Sequence, residues 1–301
     1  MGMSVQTVLS QVMLGLNNGV FYAILSLGLA VIFGLLNIVN FVHGALYMLG
    51  AYVALLGFTM LGPLLGKPDF HLNYWAALIV APLVVGALGV LIEKTMLRRL
   101  RKFDHLYGLL LTFGLALIIQ GVFTNYFNVS GDAYDGKPES LSGVVDLGFM
   151  LFPKYRVWVI GISLAVCFGT WFVIERTKLG SYLRAGTENP ELVKAFGINV
   201  PLMITLTYGF GVGLAAFAGV LAAPIYSVSP VMGSEMIITV FAVVVIGGMG
   251  SIMGSILTGL LLGMVEGFTK VVYAPASSTV IFLIMVLVLL VKPAGLFGKE
   301  A

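Results

Sequence analysis

Long apolar stretches recur along most of this chain, at about 8–36, 43–62, 74–97, 106–127, 157–174, 201–226, 236–248, 251–272 and 277–292. Crossing ~30 Å of hydrocarbon as a helix takes ~20 residues, and several of the runs reach that length. In lipid every backbone N–H and C=O has to pair inside the protein, which leaves helices or a closed barrel. No ten-residue alternating pattern points to a barrel, so the expected fold is all-α and polytopic, with about eight transmembrane helices in a single transmembrane domain over residues 1–301. The stretch 237–248 is too short to count among them. It stops at Gly247-Gly248-Met249-Gly250-Ser251, and non-helical backbone at membrane depth is tolerated only inside protein or along a polar cavity. That segment is expected to be re-entrant, or half of a broken ninth helix.

Composition agrees with the runs: 59% of residues are hydrophobic and 10% charged, against about a quarter charged in a soluble domain. The net charge of +3 does not imply an anionic partner such as nucleic acid, because topology places the lysines and arginines. Lys94, Arg98, Arg99, Arg101 and Lys102 follow the third run, and Arg176, Lys178, Arg184 and Lys194 lie between the fifth and sixth. With Lys292 and Lys299 after the last run, these basic residues assign their segments to the cytoplasm. Counting back, the N-terminus lies outside and 128–155 is an external loop carrying Asp132, Asp135, Glu139 and Asp146. Such a loop suits either docking of a soluble partner or a solvated connector. The single Cys167 allows no intrachain disulfide. The first ten residues show no basic n-region or small-residue cleavage site, so the first apolar run is expected to stay as a span.

The chemistry that can be excluded narrows the function. No GxxxxGK[ST] loop occurs, and Gly209-Phe210-Gly211-Val212-Gly213 lies in apolar sequence without a preceding strand, unlike a dinucleotide-binding turn. Glycines four apart, at Gly15 and Gly19 and at Gly259, Gly263 and Gly267, read instead as faces where helices approach closely. His43, His71 and His105 have no second ligand at metal-binding spacing. No catalytic constellation, metal or cofactor is expected, and the chain reads as no enzyme. The ionisable groups near span ends, Glu93 with Lys94 and Glu266 with Lys270, suit the membrane interface and form no proton relay.

Two polar segments remain. In GLLNIVNFVHGALYMLGAY, Asn37 and Asn40 share a helix face and are followed by His43, Gly44 and Tyr47. With Gly247, Gly248 and Gly250 these residues are a candidate neutral lining for a solute path; a short cytoplasmic turn with interfacial tyrosines suits the first group as well. The second segment, RAGTENPELVKAFGINVP from Arg184 to Pro201, is a polar helix between two spans on the basic side, a handle for another protein. Asn189-Pro190 starts it, Glu191 complements its N-terminal dipole and Gly197 ends it.

These two segments and the later GGMGSIMGSILTG resemble, over essentially the whole chain, the LivH-type permease subunits of bacterial ABC importers for branched-chain amino acids. The resemblance implies a multi-pass protein of the bacterial inner membrane with a coupling helix in the cytoplasmic loop 175–200, seated in a groove of an ATPase. The corresponding residues are Arg184, Ala185, Glu188, Glu191, Ala195, Gly197 and Ile198. It also implies a second, homologous permease subunit, two cytoplasmic ATPase subunits and an extracytoplasmic amino-acid-binding protein. Close relatives of this architecture carry urea or short amides. A stand-alone secondary carrier is the third reading, and it would need an intramembrane ion site such as Glu93 or Glu266.

Overall fold

Helix satisfies the backbone at nearly every apolar run. The computed structural model describes residues 5–36, 39–64, 66, 67, 70–100 and 103–298. Its helices are α1 (Val5–Leu36), α2 (Val42–Thr59), the single turn α3 (Leu61–Leu64), α4 (Tyr74–Ile92), α5 (Arg98–Leu100), α6 (His105–Tyr126) and α7 (Lys154–Arg176). They continue as α8 (Lys178–Glu188), α9 (Pro190–Ala195), α10 (Val200–Ala222), α11 (Met232–Gly247), α12 (Ile252–Tyr273) and α13 (Val280–Val291). A π-helical turn, Glu93–Leu97, joins α4 to α5, and the strands β1 (Val144–Asp146) and β2 (Leu151–Pro153) form an antiparallel hairpin.

Seven of these helical stretches are long and apolar enough to cross a membrane, and α11 and α13 are shorter apolar helices. The all-α polytopic expectation therefore stands. The last apolar run yields less helix than its length suggests, because Pro275 sits in a 3-10 turn and the helix resumes only at Val280.

The chain divides into two compact units. The first comprises Met1–Ala30, Pro138–Trp171 and Ile238–Ala301; the second comprises Val31–Lys137 and Phe172–Ile237. In the first, the Gly15/Gly19 face of α1 meets the Gly259, Gly263 and Gly267 face of α12 so closely that any side chain there would strike backbone. Small residues at fourfold spacing permit this approach, which maximises dispersion contact where lipid supplies no hydrophobic drive. Across the same seam Tyr22 donates to Glu266 Oε2 at 2.7 Å, while Lys270 donates to Oε1 at 2.7 Å.

The glycine break after α11 also belongs to the first unit. Gly248 and Gly250 adopt φ of +99° and +84°, and the Ser251 hydroxyl caps α12 by accepting from Gly254 N–H. The last carbonyls of α11 would be orphaned at this break. Leu296 N–H donates to Ile246 O at 2.8 Å and Phe297 N–H to Gly247 O at 3.2 Å, so the segment after α13 closes the gap. Lys292 Nζ in turn donates to Leu296 O at 2.8 Å and fixes that segment's own turn. The carbonyls at the break are thus met by protein groups, as a bilayer requires.

In the second unit α2, α4 and α10 form the core, with Leu46, Val85, Ile92, Tyr208, Val212 and Ala216 buried together. Gly50 of α2 lies on the backbone of Ala216, and Gly219 of α10 lies on that of Tyr47. Gly50→Val is expected to force these helices apart at about 1–3 kcal/mol, read as a lower melting temperature of the detergent-solubilised protein. Gly114→Ala, where an added methyl meets open space, is expected to leave it unchanged.

Candidate functional site

The polar segment between α7 and α10 folds as two short helices. Thr177 is extended and α8 turns back so tightly that Gly180 sits against the carbonyl of Ile174. At Asn189 the chain turns again, and its side chain accepts from Leu192 N–H at 3.0 Å as the N-cap of α9. Pro190 occupies the first helical position, where its missing N–H costs nothing. Glu191 stands in the first turn and Lys194 in the last, 2.8 Å apart, both favourable to the helix dipole. Gly197, at φ +79°, stops the helix, with its N–H donating to Lys194 O at 2.9 Å.

The two sides of this hairpin differ. Val193 is buried against Val200 and Ile204 at the start of α10, with Ala185, Ile198 and Met203 packed around them. Ala185 and Ile198, expected to face a partner, are thus anchors within the chain. Arg184 is exposed, and it donates to Ile174 O at 3.2 Å and lies 3.4 Å from a Glu175 oxygen. Glu188, Glu191, Ala195 and Gly197 are exposed. Leu192 on α9 and Phe196, the C-cap residue of that helix, are 55% and 77% exposed. Sequence reasoning passed over both, although two large apolar residues at i and i+4 in a polar helix are a legible signal.

The other candidate segment lies in the second unit. Asn37 falls outside the described residues. Asn40 is 1% exposed; its Nδ2 donates to the Tyr208 hydroxyl at 3.1 Å, while its Oδ1 has no hydrogen-bond partner among the described residues. Phe41 N–H donates to Thr112 Oγ1 at 3.3 Å, which ties residues 39–41 to α6. His43 and Tyr47 are buried, and Gly44 is a packing position whose face is covered by Gly233 and Ile237. Beside them opens a small cleft lined by Phe41, Met48, Phe113, Leu117, Gln120 and Ile237. In the first unit Gly247 and Gly248 are buried under the segment that caps α11, and Gly250 is half-buried.

The two carboxylates expected at the membrane interface are buried within the protein. Glu266 is 8% exposed and doubly bonded, as described above. Glu93 is fully buried; the Thr205 hydroxyl donates to its Oε2 at 2.6 Å, and Arg98 Nη2 lies 3.6 Å from the same oxygen. Arg98 also donates to Thr205 Oγ1 at 2.8 Å and to Pro201 O at 3.4 Å. Arg98 is itself partly exposed, so solvent screens its attraction to Glu93, and the buried Thr205 hydrogen bond is the closer contact. Both carboxylates are thus engaged by neighbouring side chains rather than poised to hold a transported ion.

The segment 128–155, expected to be external, is structured. In the second unit Asp132 and Val228 form an antiparallel bridge, with N–H to O distances of 3.0 and 2.9 Å. Tyr134 packs on Phe58, and burial, with Tyr74 adding to it, pushes its phenol up to about 12. In the first unit the hairpin of β1 and β2 precedes α7. Asp132, Asp135, Glu139 and Asp146 are all exposed.

A family model for the permease component of branched-chain amino acid transport systems matches residues 11–291. The chain is 32% identical to the high-affinity branched-chain amino acid transport system permease protein BraD of Pseudomonas aeruginosa, over 97% of this chain and 96% of that one. It is 30% identical to LivH of Salmonella typhimurium, with the same coverage. It is 27% identical to the probable LivH of Methanocaldococcus jannaschii, over 92% of this chain and 88% of that one.

The cap at Asn189 carries a local prediction. Asn189→Ala is expected to destabilise α9 by about 1 kcal/mol, seen as faster amide exchange at Leu192 and Val193 with the α10 amides unchanged.

Proposed function

The chain belongs to the family of permease components of branched-chain amino acid transport systems, and from that premise we propose that it is the transmembrane permease subunit of an ABC importer carrying leucine, isoleucine or valine into the cytoplasm. It is a transport subunit rather than an enzyme, and its partners are ATPase subunits and a binding protein. In the assembly we propose, this chain and a homologous permease line the path, two ATPases bind from the cytoplasm, and an extracytoplasmic binding protein delivers the amino acid. The protein is a multi-pass component of the inner membrane.

The observation that carries the coupling role is the two-sided construction of α9. Its inner side is anchored to α10 through Val193, Val200 and Ile204, while Leu192 and Phe196 stand exposed on a helix outside the spans. Exposed large apolar side chains on a rigid, capped element mark an interaction site. Leu192 and Phe196 enter the ATPase groove in this reading, and Glu188 and Glu191 form its polar rim. ATP binding and hydrolysis then act on α10 through the anchored side. The loaded binding protein and ATP supply the differential binding that shifts the pathway between outward- and inward-facing states. Asn40 and His43 belong to a neutral route, which suits a zwitterion that needs passage rather than tight capture.

The test is uptake of radiolabelled leucine by proteoliposomes holding the co-purified complex and binding protein, with ATP supplied or withheld on the cytoplasmic side. ATP-dependent accumulation is expected; uptake indifferent to ATP would overturn the proposal. In the same preparation Phe196→Asp is expected to weaken ATPase retention about thirtyfold, as for the loss of an interface hot spot, without lowering the melting temperature of the permease.

A further inference from the structure

We propose that Glu93 is a positioning residue that relays movement of the coupling segment to residues 39–41, an inference that rests on the coupling role given to α9. Two turns of α10 carry the relay. Val200 and Ile204 hold the anchored side of α9. The next residue, Thr205, donates to Glu93, and one turn further Tyr208 accepts from Asn40. Asn40 in turn belongs to the strap that Thr112 ties to α6. A displacement of the first turns of α10 therefore acts on α4 and on the strap together.

The backbone of α4 is built for this contact. Residues five apart on a regular α-helix point about 140° away from each other. The π turn closes Arg98 N–H onto Glu93 O and brings the two side chains together on the side facing α10. Single π turns inside α-helices are frequently functional. Arg98 then spans the junction, reaching both Pro201 O and Thr205 Oγ1.

Thr205 supplies a two-position element. Its hydroxyl has one proton and two acceptors in range, Glu93 Oε2 at 2.6 Å and Pro201 O at 2.9 Å on its own helix. The carboxylate is the stronger acceptor, so the proton goes to Glu93 in this arrangement. When the start of α10 moves away, the proton passes to Pro201 O and Arg98 remains to compensate the buried charge. No donor is stranded in either position. Such an element can be biased from both ends, which is the physical requirement for coupling between separate sites. Apolar residues in place of a buried ion pair are often neutral or stabilising, so stability alone does not account for a buried carboxylate at this junction.

The experiment uses the complete complex in proteoliposomes and measures leucine accumulated per ATP hydrolysed, beside ATPase retention and melting temperature. Glu93→Gln keeps the shape and an acceptor oxygen but removes the charge. It is expected to retain the ATPases and their basal hydrolysis while leucine per ATP falls about tenfold. Thr205→Val is expected to fall likewise and Thr205→Ser, which keeps the hydroxyl, to restore the ratio. If Glu93→Gln does not assemble, the Thr205 pair decides by itself. Assembled Glu93→Gln or Thr205→Val complexes with the unmodified ratio would overturn the relay, as would a Thr205→Ser complex no better coupled than Thr205→Val. Failure of the coupling role itself would show differently, as an unmodified complex that takes up leucine without ATP.

Discussion

Backbone groups left without partners inside hydrocarbon govern this structure. A helix can end or change pitch there only when its freed carbonyls and amides are met by other protein groups. The chain does this in three ways. The carbonyls at the end of α11 are met by amides from residues 296 and 297, about fifty positions later. The strap between α1 and α2 offers Phe41 N–H to the Thr112 hydroxyl. The turn after α4 keeps its ladder by widening to i→i+5 closure rather than breaking it. The first two irregularities are satisfied by groups from elsewhere in their unit, so each of them ties distant segments together.

Close helix approach does the complementary work in the second unit. With Gly50 and Gly219 at the seam, α2 and α10 meet backbone to backbone, and neither has slack to rotate alone. Displacement at the start of α10 is then passed on rather than absorbed in side-chain rearrangement. The π turn of α4 faces this rigid pair through a polar contact, which can be exchanged for another hydrogen bond at small cost. Rigid apolar seams and exchangeable polar contacts thus divide the labour in one helix layer.

Local rules were legible in the sequence where they act over a few residues. Apolar run length gave the helices, and Asn189, Pro190 and Gly197 gave both ends of α9, because caps are short-range chemistry. Which residues anchor α9 to the rest of the chain was not legible. A six-residue helix is oriented by what anchors it, and Val193 is claimed by Val200 and Ile204 on the next helix. Ala185 and Ile198 accordingly turned out to be anchors, and Leu192 and Phe196 took the exposed positions. Glu93 was placed at the interface from its position near a span end; its contact with Arg98 and Thr205 was not legible, because a π turn leaves no periodic trace in the sequence. The partner of the glycine break was equally hidden, since nothing in Gly247 to Ser251 names the residues that cap it.

The fate of the two membrane carboxylates bears on where the transport energy originates. A carrier driven by an ion gradient needs an ionisable group whose partners change as the ion binds and leaves. Glu266 is held from two sides, by Tyr22 and Lys270, within one unit. Glu93 is held by Thr205 and Arg98 at the helix junction beside the coupling segment. Both carboxylates are engaged by side chains of the protein itself. A two-state pathway is shifted by partners that bind its states unequally, and moving it from 1:99 to 99:1 takes about 5.5 kcal/mol of differential binding. In the proposed assembly a cytoplasmic partner exerts that bias through the α9 segment, with an exposed apolar pair on one side and α10 on the other.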